Sequence, residues 1–487
     1  MEKYYLAIDL GTTGCRSMVF DSQLQLRGSA YQEYGLIAPR ADWYEQDANA
    51  WWELSYQTLQ QAAREAGIKT QQICAIGISS QGISIVPVDE NGKPLCNALS
   101  WMDMRAKEQT QRLLQELGDA QTYELTGKHI LACYTLPKLL WLQENRPDIW
   151  AKTKQLWMPL EYLTAKFTGN AVTDASMASG TLFYDMKNGC YHQPTLQRYG
   201  IEETLLAEIR PCGSKAGTVL PEVAQKLGLS SDCVVSVGAQ DQRCAALGAG
   251  LDHDTVTVSL GTAAAICKLH TDFTPEQTTV GWSPYIQEGS FVTEGVANTA
   301  GAALRWLRDV LYPGCDYEVI NREAELARKE GSQVLFHPYL GGSDYPRYNT
   351  AGTGCFYGLS MATTRGAMAL AVMEGVAFEI AQILQKVDTA NRATRLVLFG
   401  GGAKSLLWQQ IFADATGKEI LVPQLSEAAG VGAAILAGMG CGQLNIQSLP
   451  AMPMASRAVP GPFYEQTQAR LAAFCKLEDK LAQGDMR

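Results

Sequence analysis

The sequence predicts an α/β protein made of two similar lobes. Short apolar runs that end in Gly- and Thr-rich turns alternate with segments of helical period, which is typical of an α/β fold. Residues 8–12 and 258–262 share Leu-Gly-Thr at the same place in two similar strand patterns, 250 residues apart. The chain has 487 residues, 46% apolar and 18% charged, which is enough for a large core in each lobe. We therefore expect one domain over 1–249 and a second over 250–487.

In the first half, a hairpin, one helix and two further strands are predicted. The hairpin has strands at 4–9 and 17–20, joined by Gly11-Thr12-Thr13-Gly14. The helix and the later strands are expected at 48–67, 73–79 and 83–88.

The second half repeats this order after a boundary near 248–254. Strands are expected at 256–260 and 263–269, around Gly261-Thr262, and a later strand at 395–399 leads into Gly400-Gly401-Gly402-Ala403. Helices are predicted at 406–417, at 430–440, where small residues favour close packing, and at 465–482. Residues 450–463 contain four prolines and are predicted to be an irregular connector.

Composition argues against several classes of protein. The net charge is −10 and basic tracts are lacking, so we expect no nucleic-acid partner. Apolar runs are too short for a membrane span, and Asp9 comes too early for a signal peptide, so no membrane partner is expected. Thirteen cysteines without a CxxC pair are typical of reduced thiols in the cytoplasm.

Common catalytic motifs are missing, whereas three backbone-rich turns stand out. A P-loop, HExxH, GxSxG and GxGxxG are lacking, and five scattered histidines favour neither a metal cluster nor a catalytic triad. The turns at 9–16, 261–262 and 400–403 offer closely approachable N–H groups that suit phosphate oxygens and a flat base. Asp9 cannot bind phosphate directly, so its natural partner is Mg²⁺.

The chain resembles the FGGY family of carbohydrate kinases, within the actin-like ATPase superfamily of ribonuclease H-like folds. The resemblance covers almost the whole chain. It is carried by seven segments: IDLGTTGCRSMVFD at 8–21, DWYEQDANAWW at 42–52, NALSWMDMRA at 97–106, VGAQDQRCAALGAG at 237–250, VSLGTAA at 258–264, EGVAF at 374–378 and FGGGAKSLLWQQIFA at 399–413. It implies two duplicated lobes with a central cleft and transfer of phosphate from ATP to a sugar hydroxyl in carbohydrate metabolism.

The resemblance also implies a role for individual residues. Asp241 would be the general base, and Asp9 would hold Mg²⁺. ATP would be bound by Thr12, Thr13, Arg16, Gly261, Thr262, Gly301, Gly401 and Gly402. The sugar would contact Gln81, Trp101, Asp103, Asp241 and Gln242. The residues alone leave simpler alternatives open: Asp241 as a helix N-cap, and Asp103 paired with Arg105 at the surface.

The exact sugar stays open because the chain departs from the patterns of related kinases. Gln81-Gly82-Ile83 replaces the Gln-Met-His usual in xylulokinases and the Gln-Arg-Glu of glycerol kinases. Residues 339–344 also differ from the family pattern, as do Ala367 and Leu370.

A pocket bearing Asp103 and Gln242 but no added cation favours a neutral sugar, and we expect a ketopentose such as xylulose or ribulose. Arg105 and Arg347 are the cations that could reverse this preference towards gluconate.

The alternatives are a kinase for another ketose, a polyol or gluconate. A protein of a different class, an actin-fold ATPase switch or a sugar sensor without kinase activity, is also weighed. Intact Asp9 and Asp241 and the lack of a peptide-binding domain disfavour that class. A homodimer is a candidate assembly.

Overall fold

Two seven-stranded sheets form the centre of the protein, one in each half of the chain. The structure is a computed structural model that describes residues 2–277, 280–342, 352–450 and 452–482. Ser343, Asp344 and Arg347, which were considered for substrate selection, lie outside the described residues.

The first half contains sixteen strands: β1 (Tyr4–Leu10), β2 (Gly14–Phe20), β3 (Leu26–Glu33), β4 (Ile37–Arg40), β5 (Trp43–Gln46), β6 (Ile73–Ser80), β7 (Val86–Val88), β8 (Ala98–Leu99), β9 (Gln155–Trp157), β10 (Val172–Thr173), β11 (Tyr184–Asp185), β12 (Cys190–Tyr191), β13 (Glu208–Ile209), β14 (Lys215–Thr218), β15 (Val234–Ser236) and β16 (Ala239–Gln240). Its helices are α1 (Ala48–Glu65), α2 (Lys107–Leu117), α3 (Asp119–Thr126), α4 (Thr135–Asn145), α5 (Pro147–Trp150), α6 (Pro159–Thr168), α7 (Ala175–Ala178), α8 (Gln193–Arg198), α9 (Pro221–Leu227) and α10 (Asp241–Gly248).

The second half contains β17 (Thr255–Leu260), β18 (Ala264–His270), β19 (Gly281–Pro284), β20 (Phe291–Ala297), β21 (Leu335–His337), β22 (Cys355–Tyr357), β23 (Arg395–Phe399), β24 (Glu419–Pro423) and β25 (Met454–Ala458). Its helices are α11 (Gly301–Leu311), α12 (Tyr317–Lys329), α13 (Arg365–Val387), α14 (Leu406–Thr416), α15 (Ala428–Gly440) and α16 (Tyr464–Ala482).

The two sheets share one strand order, which confirms the predicted duplication of an α/β lobe. In the first lobe the order is β3-β2-β1-β6-β15-β14, and in the second it is β20-β18-β17-β23-β24-β25, with β19 added at the edge. Each sheet begins with three antiparallel strands, continues with two strands parallel to the hairpin's first strand, and ends with an antiparallel strand.

Helix α15 joins the lobes, because it packs against α10 and the first sheet although it belongs to the second half of the chain. Its small residues allow this approach. A Cβ on Gly432 would lie 2.0 Å from the Cys244 carbonyl oxygen, and one on Gly77 of β6 would lie 1.9 Å from that of Ala433. The predicted close packing of this helix is confirmed.

Two predicted elements were wrong. The connector at 450–463 contains β25, because its backbone pairs with β24 and completes the second sheet. Of the strand expected at 83–88, the structure forms only β7, because Ile83 has a φ of +68° and leaves the extended conformation. Helix α13 is long and apolar enough to cross a membrane, but it lies in the core of the second lobe.

Candidate active site

Strand β6 brings Asp9 and Asp241 to one edge of the first sheet. Asp9, near the end of β1, lies opposite Ser79 in the parallel pairing with β6, and Ser79 donates a 2.8 Å hydrogen bond to it. On the other side of β6, Ala239 of β16 also pairs with Ser79, and Asp241 follows two residues later as the first residue of α10. The carboxylates predicted as metal ligand and general base therefore flank the end of one strand.

Burial makes both carboxyl groups unusually basic. The pKa of Asp241 is raised to about 7, mainly by its removal from water and next by the negative charge of Asp9, against the effects of the Gln242 N–H and Arg243. The pKa of Asp9 is raised to about 6, again mainly by burial, although Ser79 hydrogen-bonds to it. A base with a pKa near neutrality is well matched to proton transfer at physiological pH.

The turn between β1 and β2 is fixed through its carbonyl groups. Gln46 donates to the Thr12 carbonyl at 2.7 Å, the Tyr34 N–H to the Thr13 carbonyl at 2.9 Å, and the Tyr34 hydroxyl to the Gly11 carbonyl. Gly11 and Thr12 are half-buried and Thr13 is exposed. Because the carbonyls are bound from the protein side, the N–H groups of Thr12 and Thr13 can face a phosphate on the other side.

The turn between β17 and β18 is the counterpart in the second lobe, one residue shorter. Leu10 pairs with Cys15 across the first turn, whereas Leu260 pairs with Ala264 across the second. Here α11 begins directly on the turn, since Gly301 donates to the Gly261 carbonyl at 2.8 Å. A Cβ on residue 301 would lie 2.4 Å from that carbonyl, so this contact requires glycine.

Arg305 is a cation at this turn that the sequence did not single out. It lies one helical turn into α11 and donates to the Thr262 hydroxyl at 3.1 Å, while its own side chain is exposed. The i, i+4 spacing from Gly301 was the available signal. Arg305 is therefore placed, with Thr262, to meet an anion that approaches the second turn.

The glycine run after β23 lies against the second turn. Gly400 has a φ of +91°, and a Cβ there would lie 2.9 Å from the Leu260 carbonyl oxygen, while a Cβ on Gly402 would lie 2.8 Å from the Leu260 side chain. A Cβ on Gly401 would meet nothing within 4 Å, so this position opens to free space. Gly261, Gly301 and the glycine run thus form one contiguous surface of the second lobe.

Gln81 and Trp101, two of the predicted sugar contacts, lie beside the first turn. Gln81 directly follows β6, is buried, and donates to the Gln46 side chain at 2.9 Å. Trp101 is 41% exposed, and its indole N–H donates to the Thr12 hydroxyl at 2.8 Å. Gln46 and Tyr34 contact both the turn and the Gln81 side chain. They were not singled out from the sequence, although Gln46 lies in the DWYEQ segment.

Asp103 pairs with Arg105 inside the protein. Its carboxylate is completely buried and accepts hydrogen bonds from the Tyr44 N–H at 2.7 Å and from Arg105 at 2.9 Å. Arg105 also pairs with Glu45 at 2.8 Å. The pairing of Asp103 with Arg105 is confirmed, but it is buried, not at the surface, and it occupies the carboxylate within the protein. Gln242, at the start of α10, is half-buried beside Asp241.

Lys138 of α4 connects the loop after β6, which carries Gln81, with the loop after β8, which carries Trp101 and Asp103. Its ammonium group is completely buried and donates to the Ile83 carbonyl at 3.2 Å and to the Ser100 carbonyl at 2.8 Å. Burial lowers the pKa of Lys138 to about 7. Ile83, a β-branched residue in the left-handed region, is held there by this contact, which is how such strain persists beside a site.

Arg16 and Asp241 also differ in detail from expectation. The Arg16 guanidinium lies 3.5 Å from Glu427, just before α15, and over the Tyr31 ring. Asp241 is not the N-cap of α10; Gln240 is, because its side chain accepts from the Gln242 and Arg243 N–H groups. The Asp241 carboxylate is thus free of the capping role that was its simpler explanation.

The donor set fits Mg²⁺ carried with a nucleotide. Two basic, partly desolvated carboxyl groups lie close together at the sheet edge, which favours a divalent counter-ion. Within the described residues no group of three or more His, Cys, Asp and Glu side chains could hold a metal. Mg²⁺ characteristically uses one or two carboxylates, phosphate oxygens and water, which is the combination available at Asp9.

Comparison with known proteins covers both lobes. Residues 4–248 match the model of the N-terminal domain of the FGGY family of carbohydrate kinases, and residues 256–441 match that of its C-terminal domain.

Curated relatives act on different substrates. A xylulose kinase of Lactococcus lactis is 29% identical over 90% of this chain and 88% of its own length. A glycerol kinase of Mycoplasma pneumoniae is 30% identical over 90% and 89%, and a gluconokinase of Bacillus subtilis is 27% identical over 91% and 89%.

Solved structures share the fold. A ligand-bound xylulose kinase from Lactobacillus acidophilus superposes with a TM-score of 0.92, at 24% identity over 99% of this chain and 98% of its own. A gluconate kinase from the same species superposes equally well, with a TM-score of 0.92, at 23% identity over 99% of both chains.

Proposed function

Because the chain belongs to the FGGY family of carbohydrate kinases, and is therefore an ATP-dependent sugar kinase, we propose that its substrate is a neutral ketopentose such as xylulose or ribulose. The observation that carries the assignment of chemistry is the placement of Asp241, with its pKa raised to about 7, beside Asp9 and the first turn. The substrate class rests on the charges of the pocket, argued below.

The residues divide the work of phosphoryl transfer between the two lobes. Asp241 accepts the proton of the sugar hydroxyl as the hydroxyl oxygen attacks the γ-phosphorus of ATP, and the bond from that phosphorus to the β,γ-bridging oxygen breaks, releasing ADP. The turn at Thr12 and Thr13, with Arg16, holds phosphate oxygens from the first lobe. Gly261 and Thr262, with Gly301 beside them, do so from the second.

The remaining predicted contacts orient the two reactants. Gly401 and Gly402 leave a flat surface for adenosine, and Trp101, Gln81 and Gln242 line the sugar side. Asp103 acts there through the buried pair that fixes the Trp101 loop. Asp9 would hold Mg²⁺, which, when bound, supplies charge neutralisation to the phosphates. Such alignment of the reactants accounts for much of the rate in this class of reaction.

Charge supports a neutral sugar over a sugar acid. Arg105 is committed to Asp103 and Glu45, and Arg243, the cation nearest in sequence to Asp241, is paired with Glu294. An unpaired sugar carboxylate beside Asp9 and Asp241 would be disfavoured by like-charge repulsion and desolvation.

Among the described residues, Lys128 stands against this argument. Lys128 is half-buried near Arg243, and the desolvation of its ammonium group, followed by the Arg243 charge, lowers its pKa to about 7. Such a group is only partly charged at neutral pH, so it offers less than a full counter-charge to a carboxylate.

A substrate panel tests the proposal. ADP formation with Mg·ATP is measured for xylulose, ribulose, glycerol and gluconate, and we expect a ketopentose to exceed gluconate in kcat/KM by at least about tenfold. Gluconate turned over as well as the best ketose would refute the neutral pocket. In that case the Lys128→Met variant tests whether Lys128 is the counter-charge, because removing its ammonium group would then abolish gluconate turnover selectively.

The domain roles and setting are proposals of the same kind. Residues 1–249 would carry the sugar, the first phosphate turn and the base, and residues 250–487 the second phosphate turn and adenosine. Thirteen free thiols support a reducing compartment such as the cytoplasm. A homodimer stays a candidate assembly, which light scattering can test.

A further inference from the structure

A line of polar side chains leads from the second lobe to the Asp241 carboxylate. Glu294 of β20, in the second lobe, forms an ion pair with Arg243 of α10, in the first. Arg243 is 2% exposed, and its Nε donates to the Gln240 side-chain oxygen at 3.3 Å. The Gln240 side-chain nitrogen donates to Oδ1 of Asp241. The series Glu294, Arg243, Gln240, Asp241 thus crosses the boundary between the lobes.

Hydrogen-bond chemistry fixes the orientation of the Gln240 amide. A guanidinium group can only donate and an ionised carboxylate can only accept, so the amide oxygen must face Arg243 and its nitrogen must face Asp241. The Gln242 N–H also donates to Oδ1 of Asp241, at 2.7 Å. Both hydrogen bonds that the described residues make to this carboxylate therefore end on Oδ1, which leaves Oδ2 as the oxygen that would accept from a reacting hydroxyl under the proposed function.

Gly82 provides the space for this arrangement. A Cβ at residue 82 would lie 3.3 Å from Cγ of Gln240 and 3.8 Å from the Met177 sulfur, so a longer side chain there would displace Gln240. Gly82 is buried and directly follows Gln81, so the substrate loop and the Gln240 side chain fit against each other.

We propose that Gln240 is a positioning residue that sets the rotation of the Asp241 carboxylate, and that Arg243 and Glu294 hold Gln240 when the lobes are docked. The inference rests on the proposed function, because it gives Asp241 the role of base. It adds that the second lobe influences the base as well as the nucleotide. The competing explanation is that Gln240 merely caps α10 and that the ion pair merely joins the lobes.

Two replacements of Gln240 separate positioning from capping. Gln240→Ser retains a good helix cap but is too short to connect Arg243 with Asp241. Gln240→Glu retains the acceptor for α10 and Arg243 but cannot donate to Asp241. If Gln240 positions the base, both variants should keep the wild-type KM for ATP and lose about 10²-fold in kcat, the effect of a misaligned reacting group. Their melting temperatures with ATP bound show whether the fold and nucleotide site are intact.

Glu294→Gln tests the part that comes from the second lobe, and Ser283→Ala is its matched control. Ser283 is buried on β19 and meets Ser179 of the first lobe at 3.2 Å, so its variant removes an uncharged inter-lobe contact. We expect Glu294→Gln to lower kcat about tenfold with little change in either KM, and Ser283→Ala to stay within about twofold of wild type.

The outcomes separate this proposal from the one it rests on. Gln240→Glu and Gln240→Ser within about threefold of the wild-type kcat would overturn the positioning role. An equal loss of kcat in Ser283→Ala and Glu294→Gln would overturn the specific role of the Arg243–Glu294 ion pair in holding Gln240. Wild-type protein without turnover of any sugar in the panel would refute the proposed function and this inference together.

Discussion

Replacing Asp241 with Asn should make the protein more stable while it abolishes sugar phosphorylation. Folding raises the pKa of this carboxyl from its ordinary value of 3.8 to about 7, mainly by burial and then by the charge of Asp9. At pH 8 the unfolded and folded chains are both ionised, so the folded state bears the cost of a desolvated charge. Asn keeps the shape and can still accept from Gln240 and Gln242, but it carries no charge.

The magnitude follows from the change in proton affinity. Each tenfold change corresponds to about 1.4 kcal/mol, so the shift of Asp241 corresponds to about 4 kcal/mol as an upper limit above pH 7. Because the side chain is partly exposed to solvent, we expect about half of this, or roughly 4 °C or more in Tm for a lobe of this size.

The direction of the pKa shift determines how the stability difference between the two proteins changes with pH. A carboxyl group whose pKa is raised on folding lowers the stability of wild type as pH rises from about 4 to 7, and adds no further change above 7. The Tm difference between Asp241→Asn and wild type should therefore be small at pH 4 and reach its plateau near pH 7.

Thermal unfolding of the nucleotide-free proteins between pH 4 and 8 measures this difference, and ADP formation and ATP binding are measured on the same samples. A variant no more stable than wild type at pH 8, or a difference independent of pH, would refute the electrostatic argument. Sugar phosphorylation within about tenfold of wild type would remove Asp241 from the role of base.

Three further predictions concern the cleft and its supports. Because the two phosphate-binding turns come from different lobes, sugar with a non-hydrolysable ATP analogue should reduce the radius of gyration measured by X-ray scattering, and unchanged scattering would contradict closure. Gly301→Ala should weaken ATP binding in calorimetry by about tenfold or more, because the added methyl lies 2.4 Å from the Gly261 carbonyl; unchanged affinity would disprove that this contact shapes the nucleotide site. Lys138→Met should raise the KM for sugar more than that for ATP, and lower stability by about 1–3 kcal/mol because the Ile83 carbonyl is left unsatisfied, whereas the Ser100 carbonyl keeps the Asp103 N–H as a donor. Equal changes in both KM values would indicate a general loss of structure.

Much of the fold and part of the site could be predicted from local sequence. The hairpins around Gly11 and Gly261 follow from residue patterns over a few positions, and the repeated Leu-Gly-Thr indicated the duplication that the two strand orders confirm. Strand β25 was not predicted because the prolines on either side of it favour an irregular segment, whereas pairing with β24 supplies the hydrogen bonds that local sequence could not reveal.

By itself, then, the sequence determined the α/β class, the two lobes, the backbone turns and the acidic residues at their ends. Each of these depends on neighbours within a few residues, or on a motif preserved as one segment. Only the tertiary structure decided which side chains support them. Gln46 reaches the Thr12 carbonyl from 34 residues away, and Glu294 meets Arg243 across the lobes. Such contacts depend on how two separately formed elements pack, and burial there, not residue type, makes Asp241 basic enough to act at neutral pH.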